Sequence, residues 1–150
     1  IDGTLSMGMG LSIIMGRMIL VTGDLALLHD TNGWLFSKDS SISLIVIMID
    51  NGGGGIFNQL NIDKIQEGDF EEIFLMPQRV CPLTLAKAYG VKSKQVACLD
   101  DLEQAIEWSF SLSTNVLIRV CTNSVEDHKL RVSLRDDLKK TLPKNLSSFD

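Results

Sequence analysis

Six consecutive apolar residues, Leu44 to Ile49, form the segment that most constrains the fold of this 150-residue chain. A run that is apolar at every position has no polar face to turn to water, so it predicts a strand buried on both sides in the middle of a parallel sheet. Asp50 and the glycines beyond it end the strand. Because parallel strands need long crossover connections, we expect helices between this strand and its neighbours.

Shorter patterned segments on both sides of this strand predict the other elements. Apolar runs indicate strands, and apolar residues at helical spacing indicate helices. The predicted strands cover residues 18–22, 43–49, 95–98 and 116–120, and the predicted helices cover residues 3–16, 25–37, 82–89, 102–110 and 126–140. This alternation predicts an α/β fold with a mostly parallel sheet and helices on both faces. We expect residues 1–125 to form the domain and residues 126–150 to form a C-terminal helix and tail, frayed from residue 143 onwards.

Local details of these elements can also be predicted. The first helix is small and apolar throughout, so we expect it to be buried and closely packed at Gly8 and Gly10. Gly90 is expected to end the helix before it. Asp100 or Asp101 is expected to cap the helix that follows.

The composition narrows the possible functions. The net charge is −5 and no segment is strongly basic, so we do not expect a surface that binds nucleic acid. The most apolar stretch, residues 11–22, contains Arg17 and is too short for a membrane span. Three cysteines without a CxxC pair favour buried, inert thiols in a reducing compartment over disulfides or a zinc site. The chain begins with Ile1 instead of Met, so we expect it to belong to something longer.

Two predicted strands end in polar sequences that are suited to a ligand. Residues 23–24 (Gly-Asp) follow the first strand, and residues 50–55 (Asp-Asn and four glycines) follow the second. If the strands are neighbours, Asp24 and Asn51 meet at the edge of the sheet where ligands of such folds bind. Their oxygens are hard ligands that suit Mg²⁺ or Ca²⁺, and the glycines let the backbone approach a ligand. Amides at the start of the helix near Leu25 favour a diphosphate.

Each of these features also has a purely structural interpretation. Gly-Asp is a common cap between a strand and a helix, Asn-Gly is a hairpin turn signal, and four glycines can form a flexible loop. His29 with Asp30 suggests a dyad, but no nucleophile has a defined relation to them, so a hydrogen-bonded helix histidine is favoured. Trp34 and Trp108 lie at helical apolar spacing and are expected in the core or an interface.

The spacing from Asp24 to Asn51 resembles the metal–diphosphate motif of enzymes that depend on thiamine diphosphate. Further motifs narrow this resemblance: residues 1–6 (IDGTLS), 23–33 (GDLALLHDTNG), 51–57 (NGGGGIF), 70–72 (FEE), 76–78 (MPQ) and 88–91 (AYGV). With these motifs the chain resembles the 2-succinyl-5-enolpyruvyl-6-hydroxy-3-cyclohexene-1-carboxylate synthases, the MenD family of menaquinone and phylloquinone synthesis. The resemblance covers about residues 1–120 and corresponds to the C-terminal, cofactor-binding domain of the three domains in that family.

The chain departs from the family's pattern at one point that bears on the site. The family usually has Asn-Asn-Asn-Gly-Gly where this chain has Asp50-Asn51-Gly52-Gly53-Gly54. The middle Asn is kept, but Asp50 adds a carboxylate. If that carboxylate points inward, it weakens the binding of a diphosphate.

The resemblance implies a set of site residues. Asp24, Asn51 and the Gly53 carbonyl would hold Mg²⁺. Backbone amides would bind the diphosphate, and one apolar residue would support the bent shape of the cofactor. An apolar wall would lie beside the reacting carbon. The diphosphate would be bound at Gly23, Leu25 and Ala26, the bent cofactor supported by Ile1, and the wall formed by Ile56, Phe57 and Leu60.

The resemblance also implies a reaction and partners. The complete enzyme would decarboxylate 2-oxoglutarate and add the succinyl carbanion equivalent to isochorismate. The carboxylate that activates the cofactor would lie in the N-terminal domain, so no catalytic residue is expected in this chain, and Glu71 and Glu72 lie on a polar, exposed segment. N-terminal domains of the same enzyme, a homo-oligomer, and a location in the cytoplasm or plastid stroma follow from the same resemblance.

Two alternatives remain open. One is another enzyme that depends on thiamine diphosphate, such as an acetolactate-synthase-like protein. Leu25-Ala26 and the pair Ile56-Phe57 argue against it. The other is a non-catalytic α/β fragment that serves only in interactions.

Overall fold

The structure is a computed structural model that describes residues 1–39, 41–60 and 67–141. Within these residues, four strands form one parallel sheet in the order β1-β2-β4-β3. The strands are β1 (Met18–Gly23), β2 (Leu44–Asp50), β3 (Lys92–Val96) and β4 (Val116–Cys121). The predicted parallel sheet is therefore confirmed, and the predicted tail from residue 143 lies outside the described residues.

Helices cover both faces of the sheet, as predicted. The helices are α1 (Thr4–Met15), α2 (Asp24–His29), α3 (Glu67–Phe70), α4 (Pro82–Ala88), α5 (Leu99–Phe110) and α6 (Ser124–Thr141). Two 3₁₀ helices (Thr31–Phe36 and Gly55–Gln59) and a π-helical segment (Glu71–Leu75) complete the described elements. One core lies under α1, α2 and α4, and a second lies under α5.

Strand β2 occupies the position that its apolar sequence predicts. It pairs in parallel with β1 on one side and with β4 on the other. Leu44, Val46 and Met48 pack into the core under α1, whereas Ile45 and Ile47 pack into the core under α5. The absence of a polar face in the sequence thus reflects two buried faces in the fold.

Helix α1 differs from the prediction, because only one of its faces is buried. Leu5 and Met9 lie in the core, whereas Ile14 is 81% exposed. The predicted close packing holds at Gly8, where a Cβ would lie 3.2 Å from a methyl group of Leu44. It is wrong at Gly10, which has open space around it. The apolar outer face of α1 is therefore exposed in this chain.

The single helix predicted over residues 25–37 is wrong, since the chain forms α2 and a 3₁₀ helix that part at Asp30. The Asp30 carboxylate accepts hydrogen bonds from the Ser6 backbone N–H at 2.7 Å and from the Ser6 hydroxyl at 2.9 Å. Gly33 packs so closely on α1 that a Cβ there would lie 2.8 Å from Leu5 Cγ. The predicted helix is interrupted by contacts with α1. Local periodicity does not indicate such contacts, because α1 is distant in the sequence.

The remaining boundaries agree to within a few residues. Gly90 has φ +80° and follows the end of α4, as predicted, and the Val91 N–H donates to the Ala86 carbonyl at 2.9 Å. Helix α5 begins earlier than predicted, so Asp100 and Asp101 lie in its first turn instead of capping it. There their charges still favour the positive end of the helix dipole.

The prediction of buried thiols is wrong. Cys81 and Cys98 are exposed and Cys121 is half-buried. Cys81 and Cys98 occupy the positions just before α4 and α5, which explains their exposure, because the chain enters both helices at the surface. Hydrogen bonds from Thr84 lower the pKa of the Cys81 thiol. Among the described helices, none combines the length and the apolar character that crossing a bilayer requires.

Candidate functional site

A small cleft lies at the carboxyl edge of β1 and β2. The two strands are adjacent, with Gly23 opposite Ile49, so Asp24 and Asp50 come together where the strands end. We call this space, of about 140 Å³, the carboxylate cleft. It is lined by Asp24, Leu28, Asp50, Gly52, Pro77, Gln78, Val80, Pro82 and Arg119. The sequence predicted a site at this edge of the sheet that includes Asp24. The cleft lies at that edge, and Asp24 lines it.

Asp24 is the most buried carboxylate of the cleft, with 6% of the residue exposed. Its Oδ1 accepts a hydrogen bond from the Leu25 N–H at 2.9 Å. Burial raises the pKa of Asp24, and the charge of Asp50 and a hydrogen bond with it raise this pKa further. Hydrogen bonds from the N–H groups of Leu25 and Gly53 act in the opposite direction. Asp24, Asp50 and Gly53 are therefore neighbours in the folded chain.

Asp50 lies in the cleft, but its charge is paired. Its Oδ2 accepts a hydrogen bond from Arg119 Nε at 2.6 Å, and its Oδ1 accepts one from the Gly52 N–H at 3.1 Å. The side chains of Asp50 and Arg119 are 12% and 26% exposed. The extra carboxylate of this chain is thus held by a cation on the neighbouring strand β4.

Asn51 points into a different space from Asp24. It lines a second polar cavity of about 110 Å³, which lies beside α6 and which we call the α6 cavity. The α6 cavity is lined by Asn51, Gly55, Ile56, Gln59, Ser124, Asp127, His128 and Arg131. Asn51 Oδ1 is buried there and has no hydrogen-bond partner among the described residues. The structure therefore brings Asp24 and Gly53 together and directs the side chain of Asn51 away from them.

Two of the glycines that follow Asn51 pack closely against the π-helical segment of the same chain. A Cβ at Gly53 would collide with the Leu75 carbonyl oxygen, and one at Gly54 would collide with that of Phe74. The Gly54 N–H also donates to the Leu75 carbonyl at 2.6 Å. Gly52, with φ +86°, faces open space. The interpretation that these glycines make room for a ligand therefore applies to Gly52, whereas Gly53 and Gly54 make room for the π-helical segment.

The residues predicted to form an apolar wall lie on and just after the 3₁₀ helix that follows the glycines. Ile56, Phe57 and Leu60 are 67%, 38% and 51% exposed. Ile56 lines the α6 cavity. Phe57 packs edge-on against Phe74, with ring centroids 5.5 Å apart, and Phe74 stacks on Phe70. The three predicted wall residues are thus accessible, but Ile56 and Phe57 contact different neighbours.

The N-terminal segment lies close to α2. His29 Nδ1 is 3.2 Å from Asp2 Oδ1, and the Ile1 carbonyl accepts a hydrogen bond from the Thr4 hydroxyl. Ile1 itself is 71% exposed. Because His29 pairs with Asp2 and Asp30 binds Ser6, the two residues do not form a dyad. Of the predicted diphosphate amides, that of Leu25 donates to Asp24, as described above, and Gly23 and Ala26 lie on either side of the Asp24-Leu25 pair in the chain.

Sequence reasoning missed Arg119 as part of the site. It is the single charged residue in an otherwise apolar strand, Val116–Cys121, and it lies two residues before the carboxyl end of that strand. A lone charge at that position is unfavourable in a buried strand unless it is paired. This signal could have indicated a partner carboxylate at the same edge of the sheet.

The donors in the carboxylate cleft fit a hard divalent cation. Among the described residues, no cluster of three or more His, Cys, Asp and Glu side chains is arranged to hold a metal, so such an ion would rely on a carboxylate together with amide and backbone oxygens. Asp24 supplies the carboxylate and Gly53 is its backbone neighbour, whereas the amide oxygen of Asn51, which has no hydrogen-bond partner among the described residues, lies on the other side of the loop in the α6 cavity. Burial first, and then the charge of Asp50, raise the pKa of Asp24, and a bound cation would favour the ionised carboxylate. This chemistry suits Mg²⁺.

Fold and site together define an α/β domain that presents a polar cleft at the carboxyl edge of a parallel sheet. Two solved structures share this fold. One is a thiamine diphosphate-dependent 4-hydroxybenzoylformate decarboxylase from Rhodococcus jostii RHA1, with a TM-score of 0.60 and 23% identity, covering 71% of this chain and 20% of that one. The other is a benzoylformate decarboxylase from Polynucleobacter necessarius, with a TM-score of 0.58 and 21% identity, covering 79% of this chain and 22% of that one.

The family follows from a direct match of the sequence. The model of the thiamine pyrophosphate enzyme family, C-terminal TPP binding domain, matches residues 2–120, and the chain belongs to this family. The resemblance noted from the motifs is thereby confirmed.

Three curated relatives of the chain share one name. A 2-succinyl-5-enolpyruvyl-6-hydroxy-3-cyclohexene-1-carboxylate synthase of Prochlorococcus marinus (strain NATL1A) is 89% identical over all 150 residues, which are 25% of that protein. Synthases of the same name from Prochlorococcus marinus (strain MIT 9313) and Parasynechococcus marenigrum (strain WH8102) are 51% and 50% identical, over 92% and 95% of this chain and 24% and 26% of those proteins. The chain thus spans about a quarter of the length of the curated relatives that it matches.

Proposed function

We propose that this chain is the cofactor-binding part of a thiamine-diphosphate-dependent synthase of menaquinone or phylloquinone synthesis. The complete enzyme would release CO₂ from 2-oxoglutarate and join the remaining four-carbon unit to isochorismate. The observation that carries this proposal is the 89% identity to a synthase of that name over the whole chain. The carboxylate cleft supports it, since its donors suit the metal ion that would accompany a diphosphate.

The roles of the site residues are part of the proposal. Asp24, Asn51 and the Gly53 carbonyl would hold Mg²⁺, and backbone amides of Gly23, Leu25 and Ala26 would bind the diphosphate. The proximity of Asp24 to Gly53 supports these two ligands, and Asn51 would have to turn its side chain from the α6 cavity towards Asp24 to complete the set. When bound, thiamine diphosphate supplies the carbanion chemistry, and the protein positions it.

Apolar residues of the chain would shape the space next to the cofactor. Ile1 would support its central region, and Ile56, Phe57 and Leu60 would line the side where the substrate reacts. All four are at least 38% exposed, so each is available to a ligand or to another domain. Their role would be to exclude water and to orient the substrates, with no catalytic residue in this chain.

The partners of the chain would be the other domains of the same enzyme. We propose residues 1–125 as the cofactor domain and residues 126–150 as its C-terminal helix and tail, in a homo-oligomer. The exposed apolar face of α1 supports a further protein surface against this domain, because apolar patches of this kind mark contacts. The named relatives are cyanobacterial, which favours the cytoplasm over the plastid stroma.

The test is an assay of the full-length protein that carries this sequence. With Mg²⁺ and thiamine diphosphate present, we expect consumption of 2-oxoglutarate that depends on isochorismate. Turnover of pyruvate instead would support the acetolactate-synthase-like alternative. Failure to bind thiamine diphosphate at all, with the protein folded, would support the non-catalytic alternative.

A further inference from the structure

The pair formed by Asp50 and Arg119 is held across three strands. Asp50 ends β2, Arg119 lies on β4, and Arg119 Nη1 donates to Gln95 Oε1 on β3 at 3.1 Å. Gln95 and Arg119 are register partners in the sheet. The guanidinium is therefore fixed from two sides, which leaves Asp50 little freedom to turn elsewhere.

This pair bears directly on the charge of the carboxylate cleft. Both oxygens of Asp50 accept hydrogen bonds, from Arg119 and from the Gly52 N–H. Burial would lower the pKa of Arg119, but the hydrogen bond with Asp50 and the charge of that residue outweigh burial and raise it. Without Arg119, the cleft would contain two carboxylates and no basic side chain among its lining residues.

We propose that Arg119 is a positioning residue for the diphosphate: by pairing with Asp50, it allows a cleft with two carboxylates to accept a polyanion together with its metal ion. This inference rests on the proposed function, because it needs thiamine diphosphate as the ligand. The negative charge of Asp24 is useful, since it attracts the cation. The charge of Asp50 repels the diphosphate unless Arg119 compensates it.

The inference predicts opposite effects for the two partners of the pair. In Arg119→Gln, Asp50 is left uncompensated, and we expect thiamine diphosphate to bind about tenfold more weakly. In Asp50→Asn, the Asn oxygen can still accept from Arg119, but the guanidinium keeps an uncompensated positive charge, so we expect tighter binding. In the double variant neither charge remains, and we expect affinity within about threefold of the wild type.

A matched control separates charge from general damage to the fold. Arg17 is also an arginine bound to protein oxygens, those of Ser109, Phe110 and Leu112. It precedes β1 at the opposite, amino edge of the sheet. Arg17→Gln should lower the melting temperature without changing cofactor affinity.

The experiment is calorimetric titration of thiamine diphosphate at saturating Mg²⁺ into the full-length protein and these four variants. The inference is supported by the order Asp50→Asn tightest, wild type and double variant intermediate, and Arg119→Gln weakest. Equal affinities in a wild type that binds, or weaker binding by Asp50→Asn, would overturn the inference and leave the proposed function standing. If Arg119→Gln fails to fold, the sign of the Asp50→Asn effect still decides. A folded wild type that binds no thiamine diphosphate would overturn both.

Discussion

The loop from Asp50 to Gly55 separates two polar cavities that differ in how their polar groups are satisfied. In the carboxylate cleft, both oxygens of Asp50 accept hydrogen bonds. In the α6 cavity, Asn51 Oδ1 and His128 Nδ1 are buried and have no hydrogen-bond partner among the described residues. Two residues that are adjacent in sequence therefore face different environments: Asp50 faces a cleft in which its charge is paired, and Asn51 faces a cavity in which its amide oxygen has no hydrogen-bond partner among the described residues.

The α6 cavity is polar, but among the described residues it does not bring two carboxylates together. Ser124, Asp127, His128 and Arg131 recur at intervals of three and four residues and so form one face of α6. A polar cavity of about 110 Å³ can hold ordered water that satisfies such groups. The comparison indicates that the buried carboxylate of Asp24, more than a collection of polar side chains, identifies the place for a cation.

Asp24→Ala should have the largest effect on this comparison. Loss of a partner behind a metal ligand costs about 10- to 100-fold in affinity, so removal of the carboxylate itself should weaken Mg²⁺-dependent binding of thiamine diphosphate by about 100-fold or more. Titration of the full-length protein measures this. Asp127→Ala in the α6 cavity is the matched control and should change affinity by less than about threefold. Equal losses in both variants would mean that the two cavities act as one site.

Asn51→Ala tests on which side of the loop Asn51 functions. If its amide oxygen binds the metal, as proposed, the Mg²⁺ concentration required for cofactor binding should rise by about tenfold, less than for a charged ligand. His128→Ala removes a second buried atom of the α6 cavity that has no hydrogen-bond partner among the described residues, and it should leave that concentration unchanged. A change in melting temperature alone, alike in both variants, would show that Asn51 serves the α6 cavity instead.

The sheet could be predicted from the sequence because β1, β2 and β4 are each marked by their own run of apolar residues. The uninterrupted apolar run of β2 requires two covered faces, and the run in β4 behaves alike. The position of Asp24 and Asp50 at one edge follows from strand ends in a parallel sheet. What local patterns could not give is the break at Asp30, because it depends on Ser6, 24 residues away.

The site was only partly predictable for the same reason. Spacing located Asp24 and Asn51 at the edge of the sheet, but the direction of the Asn51 side chain depends on the packing of α6 against the loop. The pairing of Asp50 with Arg119 joins residues 69 positions apart. The tight contact of Gly53 and Gly54 with the π-helical segment depends on backbone geometry that no residue pattern in that segment indicated.

Phe57→Ala tests whether Phe57 belongs to the apolar wall beside the substrate or to the packed interior of the domain. Since Phe57 is 38% exposed and has one aromatic contact, the free energy of unfolding should fall by about 1 kcal/mol, well below the ~3–5 kcal/mol of a buried Phe. If it lines the substrate side, kcat should fall by about tenfold. Phe74→Ala removes the same aromatic contact and should cost at least as much stability with a smaller effect on kcat. Normal turnover of Phe57→Ala with a large loss of stability would place Phe57 in the core.

The smallest expected effect is that of Asp24→Asn on stability in the absence of metal. This substitution should raise the stability of the folded chain, although it removes a proposed metal ligand. Because the folded state raises the pKa of Asp24 above its ordinary value of 3.8, the folded chain binds this proton more tightly than the unfolded chain does. Stability from this group is therefore present at low pH and is lost as the pH rises from 3.8 through the raised pKa. Without metal, the melting temperature of the Asn variant at pH 7 should exceed that of the wild type, and the difference should vanish below pH 3.8. Added Mg²⁺ should stabilise the wild type and not the variant. An Asn variant that is less stable than the wild type at pH 7 without metal would contradict the view that the ionised carboxylate of Asp24 destabilises the metal-free fold.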